Sequence, residues 1–298
     1  MKDLRNMNKE QLIELMISIG EKPFRGKQLY EWVSKGAMSI DEMTNMSSGL
    51  RQKLTDKYFV DNYKILEHHK AKDGTIKALG VLADGNIVES VFMTYKHGHS
   101  ACISTQVGCK MKCAFCASTI GGVVRSLTAG EYLGQIFALQ RLTGERINNV
   151  VLMGSGEPLD NYDESVKFIK MATDPEGLNL SVRGITLSTC GLVPEIYKLA
   201  DEKFGITLAI SLHNPFQEER AEIMPITKRY SIVDLLKAVD YYIEKTGRRV
   251  TFEYALIEGV NDTMLHMDQL GVLLRGKLVQ VYFIPLICCR TFGKKYQC

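Results

Sequence analysis

This chain has one tryptophan, seven prolines and a net charge of only +3. So small a charge gives no electrostatic argument for a nucleic-acid partner. No apolar run approaches the ~20 residues of a membrane helix. The N-terminus MKDLRNMNKEQ has no hydrophobic leader core, so neither a membrane span nor secretion is expected. No internal repeat or low-complexity tract is visible. Eight cysteines are present, an even number, but four of them crowd between 102 and 116. That crowding excludes a disulfide framework and points to a cytoplasmic protein whose thiols stay reduced for metal binding and chemistry. No second CxxC pair and no HxxxH follows the crowded group. A four-ligand structural zinc site therefore lacks its second half.

What is present is ordinary for a globular protein: 298 residues, 45% hydrophobic and 24% charged. This is room for one large domain, or a domain with an accessory piece. Residues 1–60 read as a helical module. Asn8 caps a first helix, Pro23 opens a second with Phe24, Leu29 and Trp32 as apolar positions, and Ser39 and Asp41 start a third near Leu50 and Leu54. On these residues alone, a packing cap on the main domain is the plain reading. Residues 61–100 read as a β-ribbon, with stretches 77–82 and 87–92 split by the hairpin signal Asp84-Gly85-Asn86. From 101 to 286 strand and helix alternate. Strands are predicted at 101–107, 149–153, 184–188, 206–212, 249–257 and 278–285. Helices are predicted from Thr128 (a capping box with Glu131) to 139, from Tyr162, and at 194–199, 232–243 and 265–274. The fold class is α/β, an incomplete parallel (β/α)6 barrel with a small helical N-terminal domain and a β-ribbon linker. In such folds chemistry sits at the C-terminal ends of the strands. The polar residues collect there: the cysteine loop, Gly154-Ser155-Gly156-Glu157, Ser188-Thr189 and Ser211-Leu212-His213.

The loop Cys109-Lys110-Met111-Lys112-Cys113-Ala114-Phe115-Cys116 places three thiols at offsets of four and three. Thiolates are soft ligands for zinc or iron–sulfur clusters. Three ligands on a cubane cluster leave one iron open for a substrate or cofactor. Buried core cysteines or a partial zinc knuckle are the plainer readings, and a polar, Lys-bearing loop suits core cysteines poorly. Gly154-Ser155-Gly156-Glu157-Pro158 follows a strand. Its glycines allow close backbone approach by a ligand, and its carboxylate can accept from an ammonium group. Taken alone it is also an ordinary βα turn. Cys102 by itself is a small buried hydrophobe, and Glu89 by itself a solvated side chain.

The CxxxCxxC loop resembles the signature of radical S-adenosylmethionine (SAM) enzymes, and the Gly156-Glu157 turn resembles the motif that holds the SAM amino group in them. The whole chain is similar to RlmN/Cfr-type RNA adenine methyltransferases, and within them to the C2-methylating RlmN branch. The likeness rests on Phe24-Arg25 through Gln28 and Trp32, on Ile87-Val88-Glu89-Ser90-Val91, and on Cys102 to Cys109. It continues through Cys116-Ala117-Ser118-Thr119, Arg125 to Glu131, Met153 to Leu159 and Leu187-Ser188-Thr189. Ile210 to Pro215, Ile223-Met224-Pro225-Ile226 and Gly259-Val260-Asn261-Asp262 complete it, over roughly residues 5 to 286.

The resemblance implies a [4Fe-4S] cluster on Cys109, Cys113 and Cys116. It implies SAM bound by Gly156, Glu157, Ser188, Ser211, Leu212 and His213. The substrates it implies are an adenosine of 23S rRNA and an adenosine beside the tRNA anticodon. An electron donor such as flavodoxin or ferredoxin and a monomeric, cytoplasmic enzyme with an RNA-holding N-terminal module follow from it too. C2 of adenine, flanked by two ring nitrogens, is too electron-poor to attack a SAM methyl group, whereas a carbon radical can add there. In the family a C-terminal cysteine first takes a methyl group from SAM. A 5′-deoxyadenosyl radical then removes a hydrogen from that methyl, and the carbon radical adds to the base. By the same resemblance Glu89 accepts the proton and Cys102, as a thiolate, resolves the protein–RNA crosslink. The base has to be presented unstacked.

After Pro285 the likeness breaks. Ile287 stands where the family has a SAM-contacting Asn, and residues 287–298 form a non-matching tail. No motif for the methyl-accepting cysteine is found, and Cys288, Cys289 and Cys298 lie in no matching context. A frameshift or truncated gene is the expectation, with slow, uncoupled SAM cleavage and no methyladenosine. Three alternatives stay open at this level: a defective relative that binds cluster and SAM without methylating, a radical SAM enzyme of another substrate, and a zinc-stabilised RNA-binding module.

Overall fold

The computed structural model describes residues 1–60, 62–96 and 98–285. In chain order its strands are β1 (Lys2–Asp3), β2 (Tyr58–Phe59), β3 (Tyr63–Lys70), β4 (Ile76–Leu82), β5 (Ile87–Tyr95), β6 (Gly98–Cys102), β7 (Gln106–Gly108), β8 (Val123–Ser126), β9 (Ile147–Leu152), β10 (Ile185–Thr189), β11 (Thr207–Ser211), β12 (Val250–Leu256) and β13 (Val279–Pro285). The helices are α1 (Lys9–Ser18), α2 (Pro23–Ser34), α3 (Ser48–Thr55), α4 (Ala129–Thr143), α5 (Tyr162–Thr173), α6 (Val193–Glu202), α7 (Gln217–Ile223), α8 (Ile232–Thr246) and α9 (Met264–Leu274). The chain divides into two units. One comprises Met1–Thr105, Leu127–Gly154 and Asp163–Ser181, and the other Gln106–Ser126, Ser155–Tyr162 and the chain from Val182 onward.

The first unit begins with the helical module. Asn8 and Gln11 form a reciprocal capping box on α1, which satisfies two otherwise unpaired N–H groups. Pro23 starts α2, where a missing N–H costs nothing. The two helices touch closely at Gly26, where an added Cβ would stand 2.4 Å from Ile13 Cα. Leu12, Met16, Leu29, Val33, Leu50 and Leu54 fill the module's core, at about 1.5–3 kcal/mol for each large side chain buried. Two expectations change here. Residues 40–42 are a 3-10 turn, and the cap of α3 is Ser47, whose side chain accepts from Leu50 N–H, not Ser39 or Asp41. Phe24 is exposed, with the Arg25 guanidinium 4.9 Å from its ring centre. The ribbon is wider than two strands. β3, β4, β5 and β6 form an antiparallel meander, and β9 joins β6 in parallel. β3 was hidden in the sequence because its run Glu67-His68-His69-Lys70 is exposed and carries no apolar alternation.

In the second unit β10, β11, β12 and β13 pair in parallel in that order. One face of these strands is apolar, with Leu187, Leu208, Ile210, Phe252 and Tyr254 all buried. The six strands expected of the incomplete parallel barrel are thus present, β6 and β9 in the first unit and β10–β13 in the second. The interleaved helices make the architecture α/β. α7, seven residues long, was not anticipated from the sequence.

Candidate active site

The cysteine loop is carried by a short hairpin in which β7 and β8 pair antiparallel. Cys109 N–H donates to Gly122 O at 3.0 Å, and Ala114 N–H to Ile223 O at 2.8 Å. The Thr119 hydroxyl donates to Cys116 O at 2.9 Å. Gly108 has φ +75°, and a Cβ there would lie 1.9 Å from Gly122 O, so only glycine fits before the first thiol. Cys109 and Cys113 are buried and Cys116 is partly exposed. Burial pushes the Cys109 thiol up to about 11, and the Cys113 thiol up to about 12 with its neighbours Cys116 and Cys109 adding to the effect.

The Glu157 turn is fastened to this loop by one side chain. Gln106 Oε1 accepts from Glu157 N–H at 3.0 Å, and its Nε2 donates to Asp160 Oδ2 at 2.8 Å. Lys110 then pairs with Asp160 at 2.6 Å. Gly156 takes φ +109°, where side chains do not go. The Glu157 carboxylate is buried, its Oε1 accepting from Leu159 N–H at 3.0 Å and its Oε2 from Cys190 N–H at 2.8 Å. Burial raises its affinity for a proton, and the N–H donors work against that.

The strand ends supply the rest. Ser188 and Ser211 both donate to Glu253 Oε2, at 2.7 and 3.3 Å. Leu212 is fully buried, and its N–H goes to Glu253 O at 3.1 Å. His213 has φ +57°. Its Nδ1 accepts from Ala255 N–H at 2.9 Å, which leaves the proton on Nε2. Burial lowers its pKa to about 3, so the ring is neutral. The ring meets Phe115 edge-on at 4.8 Å, bringing the cysteine loop against this strand end. Arg220 on α7 is 1% exposed. It donates to the carbonyls of Leu212 (2.9 Å), Cys190 (2.8 Å) and Ser211 (2.9 Å) and to Thr227 Oγ1 (2.7 Å).

Gln106, Cys190, Arg220 and Glu253 were not singled out from the sequence. The available signal was a carboxylate inside an otherwise apolar strand, Thr251-Phe252-Glu253-Tyr254. A charged residue at a half-buried strand position needs a reason.

The family model described as "Ribosomal RNA large subunit methyltransferase N-terminal domain" matches residues 2–60, and that of the Radical SAM superfamily matches residues 103–270. A curated relative from Alkaliphilus oremlandii (strain OhILAs), named "Probable dual-specificity RNA methyltransferase RlmN", is 54% identical over 95% of this chain and 83% of its own length. One of the same name from Lachnoclostridium phytofermentans is 52% identical over 95% of this chain and 80% of its own length. The chain belongs to the RlmN family. A crystal structure of a radical SAM methyltransferase from Sphaerobacter thermophilus agrees with a TM-score of 0.92 at 38% identity, covering 96% of this chain and 85% of that one. RlmN-family members are radical SAM methyltransferases that use a [4Fe-4S] cluster and SAM. Three thiolates in one loop are a donor set that suits such a cluster. Among the described residues no three His, Cys, Asp or Glu side chains converge on a single metal ion.

The remaining two RlmN-type candidates, Glu89 and Cys102, lie in the first unit. Val91 on β5 is the cross-strand partner of Cys102 on β6, so Glu89, two residues before Val91, shares the face of Cys102. The diagonal spacing of such sheet neighbours is about 7–8 Å. Glu89 is partly exposed and pairs with Lys77 at 2.6 Å. Its carbonyl accepts from the Ser104 hydroxyl at 2.7 Å. Ile287, Cys288, Cys289 and Cys298, for which the sequence raised expectations, lie outside the described residues.

Proposed function

We propose that this chain is built for the family reaction, methylation of C2 of an adenosine in 23S rRNA and of an adenosine next to the tRNA anticodon, which in the family runs through a methyl-cysteine intermediate. The observation that supports this reading most is the convergence, in one unit, of the three-thiol loop, the Glu157 turn and the Ser188, Ser211 and His213 strand ends, in a chain half identical to RlmN relatives. Cys109, Cys113 and Cys116 hold the cluster. Gly156 and Glu157 take the SAM amino group, and Ser188, Ser211, Leu212 and His213 line the rest of the SAM site. When bound, cluster and SAM supply the radical chemistry that an electron-poor ring carbon requires. Glu89 then takes a proton from the base, and Cys102 acts as a thiolate on the same sheet face, one diagonal step away. Residues 1–60 hold RNA, residues 61–100 link, and residues 101–286 are the catalytic domain. The enzyme works as a cytoplasmic monomer fed electrons by a flavodoxin- or ferredoxin-like donor. Among the described residues no helix is long and apolar enough to cross a membrane.

The test is anaerobic incubation of the chain, and of a chimera ending in the C-terminal segment of a curated relative, with SAM, reductant and either RNA. Mass spectrometry of the digested RNA follows. 2-Methyladenosine from either protein supports the reading. Methylation at C8 instead, or none from a chimera that cleaves SAM, overturns it.

A further inference from the structure

The two serines that resemblance assigns to SAM spend their only hydroxyl protons on one oxygen of a residue assigned to nothing, Glu253. Its position follows from strand register. Ser211 pairs with Glu253, and Ser188 pairs with Ala209, two residues before Ser211. Ser188, Ser211 and Glu253 therefore share one face of β10, β11 and β12, opposite the apolar face. All three remain partly exposed on that side, so a ligand can reach them.

The hydrogen-bond inventory decides what kind of ligand. A serine hydroxyl has one proton to give and two lone pairs to offer. With both protons directed at Glu253 Oε2, each serine can only accept from a newcomer. Among the described residues Glu253 Oε1 has no partner, and no Lys, Arg or His pairs with the carboxylate. These three side chains thus present only acceptors to a newcomer, and they call for a group that brings O–H or N–H. SAM has three such groups, the α-ammonium at one end and the ribose diol and adenine amino group of its nucleoside at the other. The cysteine loop separates them. Glu157 is tied through Gln106 to the base of the cysteine hairpin, whereas Glu253 is held by Ser188 and Ser211 at the ends of β10 and β11. The amino end belongs by the cysteines, where the open iron is expected, and the nucleoside belongs farther off.

We propose that Glu253 is a positioning residue that turns Ser188 and Ser211 into acceptors and, through its open Oε1, selects the ribose diol of SAM. This rests on the SAM reading given above. It adds a residue and a direction to that reading: donors on the ligand, acceptors on the protein.

The experiment is anaerobic calorimetry on cluster-reconstituted protein. The ligands are S-adenosylhomocysteine, its 2′,3′-dideoxy analogue and its desamino analogue, with iron content as the control for cluster and fold. The wild type should bind the dideoxy analogue about tenfold or more weakly, as expected for losing a hydrogen bond to a charged acceptor. Glu253→Gln should bind S-adenosylhomocysteine about tenfold more weakly than the wild type and discriminate less than twofold between diol and dideoxy ligand. The amide restores shape but offers a donor where the diol needs an acceptor. Should Glu253→Gln fail to hold iron, Ser188→Ala and Ser211→Ala carry the same comparison, each with reduced discrimination. Equal binding of diol and dideoxy ligand by the wild type overturns the inference and leaves the cofactor reading intact. So does a Glu253→Gln protein that loses discrimination against the desamino analogue instead. A wild type that binds S-adenosylhomocysteine not at all overturns the cofactor reading itself.

Discussion

His213 should make this protein acid-labile by a calculable amount. Its ring is buried, and its Nδ1 accepts a backbone N–H from Ala255, so protonation must both break that bond and bury a cation. The folded pKa is lowered to about 3 from an ordinary 6.5, with burial as the main cause. The unfolded chain therefore binds the extra proton over the window between these values. The stability His213 contributes is complete above pH 6.5 and drains away as pH falls toward 3. With about 1.36 kcal/mol per unit, the loss is about 1.4 kcal/mol at pH 5.5 and about 2.7 kcal/mol at pH 4.5. That is a large fraction of a typical domain's 5–15 kcal/mol. The comparison protein is His213→Asn. Asn tolerates the left-handed backbone at φ +57° and can still accept from a nearby N–H, but does not titrate. Urea unfolding of both proteins under reducing, chelator-treated conditions, stepped from pH 7 to 4.5, isolates the histidine because other titrating groups are shared. The wild type should lose about 2.7 kcal/mol more than the variant by pH 4.5. Unfolding midpoints that fall in parallel across the range would refute the argument.

Replacing Cys109, Cys113 or Cys116 by Ala should abolish the brown chromophore and SAM cleavage, read by visible absorption and by 5′-deoxyadenosine release; a variant keeping full iron and activity counts against the cluster assignment. Glu157→Gln should weaken SAM binding about tenfold or more in calorimetry while the cluster persists. It should also soften the turn, since an amide cannot accept from both Leu159 and Cys190 N–H groups through both its terminal atoms. Arg220→Met should lower stability by about 3 kcal/mol or more, because three carbonyls lose one shared donor group. Arg220→Lys should recover only part, and an unchanged thermal midpoint for either would show that water replaces the guanidinium.

The parts legible in sequence were those set by neighbours along the chain. Asn8 as a cap and Thr128 with Glu131 as a capping box announced two helix starts, and both are present. Alternating strands and helices past residue 100 gave the α/β architecture. Ser39 misled because it resembles a cap as much as Ser47 does, and only packing around Leu50 and Leu54 decides between them. β3 was missed because a strand paired on one edge and exposed at most of its positions needs no apolar alternation. At the site, resemblance supplied Ser188, Ser211 and Glu157, but Glu253 and Arg220 escaped it. Their meaning comes from partners up to 65 residues away, which no local spacing reveals.

The hairpin that carries the cysteines has a consequence for the order in which the protein comes together. Cys109 to Gly122, Thr119 to Cys116 and the β7–β8 register all close within the segment 106–126. Such short loops close in well under a microsecond to microseconds. Gln106 to Glu157, Ala114 to Ile223 and Glu157 to Cys190 instead span tens to more than a hundred residues, and contacts of that reach form late. During synthesis the thiol loop thus takes shape before the ends of β10 and β11 exist to enclose it. The later strands then close over it.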